Sequence, residues 1–520
     1  TWAATAGTIT TGGLFTAPTT TGGITVTATS GSFKGSASVN VTKWILSLQD
    51  QALANLVQSL DADGSISRLD MIQILDSIGS EDGVVDAAEF GDLKTILNNA
   101  AMLKIPGYVD VLAGDVVNGN PANAYFQGQV LGNLAAGSSA SQLKELVSKW
   151  FLGADHPAAY YYDQYGLYHQ CQYSSVAGSL FVNGPAYTDM HQGELGDCYL
   201  ISALGSLAKS SPAVIQNMII DNGDNTWTVR FYANGTPDYV TVDRMLPTEN
   251  GNLVFDDYGA SPSNAGNVLW IPLVEKAYAE WNETGKEGRD GQNSYWSIGG
   301  GASGDVYTQI LGHSAQYYTF PGFTVNGYMP GTEQTMINAI SSNEAVTIDT
   351  YQAGNGLYAS HVYMVVGYTM ATDTFQLYNP WGVDQPGPLT WTQLSADCEA
   401  FWAAGTSGTV PIGSVAQAPL RAGSVIPLPA LPSAGALDVP SGRVSVLTRS
   451  PSQSAPAMTD HVASLMAKSS IAKTPAAFPT AGTDAFGVSL ARVSRPHKTL
   501  TRLSPLAVDE LFLDTDFLAG

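Results

Sequence analysis

From Ser360 to Gly382 the chain spells a strand, a turn and a returning strand, and this stretch restricts its fold most. Ser360 to Tyr368 is dense in β-branched and aromatic residues, Thr369 to Thr374 reads as a turn, and Phe375 to Tyr378 returns to Asn379-Pro380-Trp381-Gly382. An antiparallel hairpin centred near Met370 sets position 361 opposite position 379. His361 then lies beside the neutral amide of Asn379. Such an amide orients an imidazole without neutralising an imidazolium, as a thiolate–imidazolium pair requires; the serine-type triad uses Asp instead.

A thiol for that pair stands in His191-Gln192-Gly193-Glu194-Leu195-Gly196-Asp197-Cys198-Tyr199. Leu200, Leu204 and Leu207 follow at helical spacing, so Cys198 sits at a helix N-terminus. There the helix dipole favours the thiolate and lowers the thiol pKa. The chain has three cysteines, Cys171, Cys198 and Cys398, which cannot all pair with one another. A buried cysteine is ordinarily inert filler, so the helix start and the histidine carry the argument.

The formal charge is −23, with the acidic excess ahead of residue 416, and it disfavours nucleic acid as a partner. No apolar run approaches the roughly 18–20 residues of a membrane-spanning helix. Residues 1–43 alternate apolar and polar at Ile24, Val26 and Ala28 and again at Ala37, Val39 and Val41, a strand–turn–strand pattern. This stretch resembles the C-terminal half of a bacterial immunoglobulin-like repeat, a partial β-sandwich. From 44 to 118 the spacing is helical, with stripes at Leu48, Ala52, Leu56, Leu60 and at Phe90, Leu93, Leu97. Between the stripes Asp61, Asp63 and Asp70 fall on positions 3, 5 and 12 of an EF-hand-like loop around Gly64. Ser59 takes the first position and Asp70 replaces the bidentate Glu, so calcium is a candidate cofactor of weakened ligand set. Capped helix turns explain the same residues. Residues 119–164 read as a helical connector, clearest from Ala140 to Leu152. Residues 406–520 are rich in Pro, Ala and Ser and read as mostly disordered, with a short amphipathic helix at Pro505 to Phe517.

Residues 165–405 resemble the calpain family of papain-like cysteine peptidases. Gln192 to Leu204, Ser360-His361-Val362-Tyr363 and Asn379 to Gly382 resemble its three catalytic motifs. Val242-Asp243 to Thr248 and Leu269-Trp270 to Ala279, with Glu275-Lys276 inside it, match as well. The resemblance implies an α+β fold: a two-subdomain core with the active-site cleft between the subdomains. It implies Cys198 as nucleophile, His361 as base, Asn379 as orienter and Gln192 in the oxyanion hole with the Cys198 amide. It further implies that Trp381 covers the His–Asn pair, and that Gly300 and Gly301 let substrate backbone approach. Gly299 to Gly304 also fits a dinucleotide fingerprint, but no βαβ pattern surrounds it.

Two departures matter. Val182, Gly184 and Asp189 match calcium-binding positions of the family, but Val268 replaces the partner carboxylate. The C-terminal domains of animal calpains have no counterpart, and the paired-helix region precedes the core. The expectation is a cysteine endopeptidase acting on protein or peptide, with no cofactor needed for the chemistry. Residues 165–405 alone are expected to hydrolyse peptide with or without a chelator. The stalk-like start points to an extracellular or bacterial cell-surface location. The alternatives are a surface adhesion or binding protein with an inactive peptidase-like domain, and a transglutaminase-like acyl transferase. The intact Gln, Cys, His and Asn set weighs against the first, and Asn379 in place of Asp against the second.

Overall fold

The computed structural model describes residues 1–18, 20–41, 47–163 and 165–406. The expected disorder of the tail and its terminal helix lie outside the described residues, apart from Thr406.

The alternating threonine-rich runs form the hairpin that their pattern predicts. Gly22–Ser30 pairs antiparallel with Phe33–Val41, setting Ile24 across from Val39 and Val26 across from Ala37. Trp2–Ala4 adds a third strand. Ile24 alone is buried, so this sheet keeps one face only partly covered.

Five helices follow: Gln51–Leu60, Arg68–Ser77, Ala87–Asn98, Gly107–Val117 and Ala140–Leu152. Short polar side chains start most of them. Asp50 accepts from Leu53 N, and Ser67 with Asp70 and Asp86 with Glu89 make reciprocal capping boxes. The loops then pair at a distance: Ile66 N donates to Leu103 O, and Val85 exchanges backbone bonds with residues 137 and 138. The connector over 119–164 is only partly helical. Asn120 caps a short turn at Pro121–Ala124, and Tyr160–Tyr162 pairs with Tyr168–Gln170. This tyrosine-rich hairpin straddles residue 165, the expected start of the core.

The rest is mixed helix and sheet. One half carries the antiparallel strands Ile219–Asp221, Thr226–Ala233 and Thr236–Asp243, with helices Cys198–Ser210, Trp270–Asn282 and Ser303–Leu311. The other is a six-stranded sheet in the order Met329–Pro330, Gln316–Thr319, Cys398–Ala404, Ala345–Thr350, His361–Thr369, Thr374–Tyr378. Phe320, Ile348, Tyr363 and Phe401 form a core within that sheet. The second apolar core is continuous from Leu53 and Val109 in the helical region to Phe231, Trp281 and Leu204.

The helical region is therefore bonded to the peptidase-like half. Arg68 Nη1 donates to Asp224 at 2.8 Å, and Nη2 reaches the Phe151 carbonyl. Lys149 Nζ bonds Glu283 at 2.6 Å and also meets Asp155. This packing argues against residues 165–405 standing alone.

Asp115, buried within the helical region, accepts from Asn120 Nδ2 at 2.7 Å, while its Oδ2 has no partner among the described residues. Burial pushes its carboxyl up to about 7, against the Asn120 bond and distant Lys286. A carboxyl raised in the fold holds its proton more tightly there than in the unfolded chain. Its contribution is present in acid and lost as pH rises through about 7. Asp115→Asn should stabilise the protein increasingly from pH 4 upward, levelling above pH 7 at on the order of 3–4 kcal/mol. Urea midpoints at pH 5 and pH 8 test this; an equal difference at both would exclude Asp115 as the cause.

Candidate active site

Cys198 opens its helix, with Asp197 at the cap position. The first amide hydrogens of a helix lack intrahelical acceptors and point out of its N-terminal end. One helix face runs along the strand His361–Thr369. Ser202 Oγ donates to Val362 O at 2.9 Å. Gly205 lies so close to Met364 that a Cβ would stand 2.1 Å from its sulfur, which explains the glycine. Residues 198, 202 and 205 share that face, and their strand partners ascend in step, which brings Cys198 to the His361 end. Tyr363, whose ring lies 4.9 Å from that of His361, feels the Cys198 thiol electrostatically.

The strand holds His361 firmly. His361 N donates to Thr350 Oγ1 at 3.0 Å, and Thr350 Oγ1 donates to His361 O at 2.8 Å. His361 Nε2 lies 2.9 Å from Asn379 Oδ1. Trp381 N also donates to that oxygen, at 3.2 Å, which identifies it as the amide's acceptor. Nε2 therefore carries the hydrogen, and Nδ1 presents a lone pair. Nδ1 is buried and has no hydrogen-bond partner among the described residues. Burial pushes the imidazole down to about 4, opposed by the Asn379 bond. Trp381 covers the pair: it is buried, with its ring 4.5 Å from His361.

The hairpin register differs from the expected one. Thr369 pairs with Thr374, and a bulge at Val366 shifts the ladder so that Met364 faces Tyr378. Continued, that register sets Asn379 across from Tyr363, two residues past His361. His361 and Tyr363 share a face, so Asn379 reaches the imidazole diagonally instead of directly.

Gln192 is buried, and its backbone N donates to Pro380 O at 3.0 Å, tying this loop to the Asn379 segment. Its side-chain Nε2 donates to Leu195 O at 2.9 Å and to Asp197 Oδ1 at 3.2 Å. Both amide hydrogens are thus used inside the loop.

The two glycines expected to admit substrate part company. Gly300 has φ +69° and open space where a side chain would stand, and its N donates to Gly196 O at 2.7 Å. At Gly301 a Cβ would meet the Tyr199 ring at 2.6 Å and Arg289 at 2.5 Å. Gly301 is glycine because this chain's own side chains fill the space. Sequence reasoning missed Arg289, which bonds Ser297 O at 3.0 Å, Tyr199 Oη at 2.8 Å and the Gly300 carbonyl. It lies in a Gly-rich loop with no periodic pattern to mark it.

The expected metal ligands are not gathered. Among the described residues, no three His, Cys, Asp or Glu side chains are grouped to hold a metal ion. Asp70 Oδ2 closes the Ser67 capping box, Asp63 Oδ1 accepts from Ser65, and Asp61 is buried. Nor do the family's calcium positions fit, because Asp189 Oδ2 accepts from Trp270 Nε1 at 2.8 Å and Ala186 N at 2.9 Å, and Val268 brings no oxygen.

The family model described as "Calpain family cysteine protease" matches residues 170–403. Mouse calpain-8 is 28% identical over 237 residues, covering 42% of this chain and 31% of its own length. The bovine calpain-1 catalytic subunit is 26% identical over 238 residues, covering 42% and 30%. The chain thus spans about a third of the length of these relatives. Cysteine, histidine and asparagine stand in order inside the matched residues, on elements that pack together, and through residues 170–403 the chain belongs to the calpain family of cysteine proteases.

Proposed function

We propose that this chain is a cysteine endopeptidase whose thiol nucleophile is Cys198. The observation that carries the reading is the bare, buried Nδ1 of His361 at the start of the Cys198 helix, with Nε2 held by Asn379. An imidazole in so dry a place takes a proton only beside an anion. A Cys198 thiolate supplies that anion, and the two then titrate as a pair.

The thiolate sulfur attacks the peptide carbonyl carbon, and the oxyanion develops toward the Cys198 N–H. Gln192 joins as second donor by releasing Leu195 O while keeping its bond to Asp197. The C–N bond breaks as the imidazolium gives its proton to the leaving amine. Water then attacks the thioester, His361 takes its proton, and the C–S bond breaks to free acid and thiol. Calcium has no part in these steps, and the surface location and stalk role of the N-terminal sheet remain part of the proposal. Among the described residues no single helix is long and apolar enough to cross a membrane.

Cys171 and Cys398 are built-in controls. Burial pushes Cys171 up to about 12, and Cys398 well above the ordinary thiol range. Iodoacetamide at pH 6 followed by peptide mapping should label Cys198 at least about 10²-fold faster than either. The labelled protein should hydrolyse nothing, and rates should be alike in chelator and in millimolar calcium. Equal labelling of the three thiols would sink the reading; strict calcium dependence would remove its metal-free part.

A further inference from the structure

Beneath Cys198 lie three buried carboxyl groups that the reaction does not use: Asp197, Asp256 and Glu275. Their oxygens can be assigned one by one. Asp197 Oδ1 accepts from Gln192 Nε2 at 3.2 Å. Glu275 Oε2 accepts from Asp256 N at 3.1 Å, and Asp256 Oδ1 from His191 N at 3.2 Å. Asp197 Oδ2, Glu275 Oε1 and Asp256 Oδ2 are left, all three buried and without a donor among the described residues. The Asp197 and Glu275 carboxyls face each other within reach of a hydrogen bond. Two carboxylate oxygens make such a bond only with a proton between them.

From this geometry we infer that Glu275, as a neutral acid donating to Asp197, is a positioning residue that holds the Gln192 amide at the oxyanion site. The inference rests on the proposed peptidase reaction. The surroundings favour the assignment. Arg289 faces Asp197 and stabilises its charge, with Tyr199 nearby. Glu275 faces the acidic groups Asp197 and Asp256 and the neutral Tyr295. Asp256 in turn faces Asp257 and the His191 backbone. Burial and neighbouring negative charge push Glu275 well above the usual carboxylate range, while burial, opposed by Glu275, Gln192 and Arg289, pushes Asp197 up to about 7. The proton thus stays on Glu275 and the charge on Asp197. Losing that proton places two anions in contact without solvent. They must separate, and Gln192 loses its fixed acceptor. Activity should fall as pH rises through the loss of this proton.

The test uses the full chain, a quenched fluorescent peptide library, and pH profiles of kcat and KM. Glu275→Gln supplies a donor that does not titrate. It should keep kcat within about threefold near pH 6.5 and move the alkaline fall upward by about one unit or more. Glu275→Ala should lower kcat roughly 10²-fold with KM within about twofold, the loss expected for a misplaced oxyanion donor. Iodoacetamide reacts by displacement and needs no oxyanion site, so Cys198 in Glu275→Ala should alkylate at the wild-type rate. Unaltered kcat in Glu275→Ala, or identical profiles for wild type and Glu275→Gln, overturns the inference. Joint loss of alkylation and hydrolysis in Glu275→Ala also overturns it, by marking Glu275 as a folding requirement. Hydrolysis surviving in Cys198→Ala would instead overturn the peptidase reading itself.

Discussion

Replacing Cys198 by alanine should lower peptide hydrolysis on the order of 10⁶-fold, and adding His361→Ala should cost almost nothing more. The reason is that each group works only through the other. Burial keeps His361 neutral by itself, since its imidazole is pushed down to about 4. With Cys198 gone, the lone pair on Nδ1 has no thiol proton to take. With His361 gone, Cys198 keeps its helix position but loses its base and the cation that would stabilise its thiolate. Single and double variants should thus converge on the same residual rate, set by binding and by the backbone donor. Steady-state assays on the three variants check this. Independent, multiplying losses would mean that the two residues do not act as one unit.

The second large effect concerns stability. Lys149→Ala should destabilise the fold by roughly 3–5 kcal/mol, because removing one partner strands the others as buried charges. Lys149 Nζ bonds Glu283 Oε2 at 2.6 Å, the Tyr125 carbonyl at 3.1 Å, and Asp155. The ammonium thus neutralises acids on two sides of the junction between the helix Ala140–Leu152 and the peptidase half. Urea unfolding gives the value directly, and a shift under 1 kcal/mol would show the cluster to be hydrated. Neutralising the stranded acid by Glu283→Gln should recover part of the loss. A chain begun at residue 165 loses Lys149 and Arg68 together with the apolar surface of five helices, so calcium is better tested on the full chain.

Much of the site was legible in the sequence because its local determinants are strong. A Gly-Asp pair ahead of a regular apolar stripe starts a helix at Cys198 wherever that helix packs. Alternating β-branched and aromatic residues around a polar turn make a hairpin from 361 to 378, and Pro380 stops the ladder beside Asn379. The capping boxes at Ser67 and Asp86 are equally local, and the first accounts for Asp70, one of the three acids that also suggested a calcium loop.

What spacing could not supply was position between elements. The turn register, Thr369 with Thr374, would by itself set Asn379 opposite Met364; the bulge at Val366, which depends on how the strand packs against its neighbours, brings it one residue nearer His361 and leaves a diagonal pair. Gly301 reads as an opening for substrate, yet Tyr199 and Arg289, distant in sequence, occupy that space. Glu275 belongs to a recognisable motif, but its meeting with Asp197 needs the helix Trp270–Asn282 to lie beneath the Cys198 loop. The sequence by itself determined the candidate residues and which local element holds each. Only the tertiary structure decided which buried oxygens face one another. That distinction is physical: helix starts and turns are set by neighbours along the chain, whereas desolvation and proton sharing depend on groups brought together from 78 residues apart by packing.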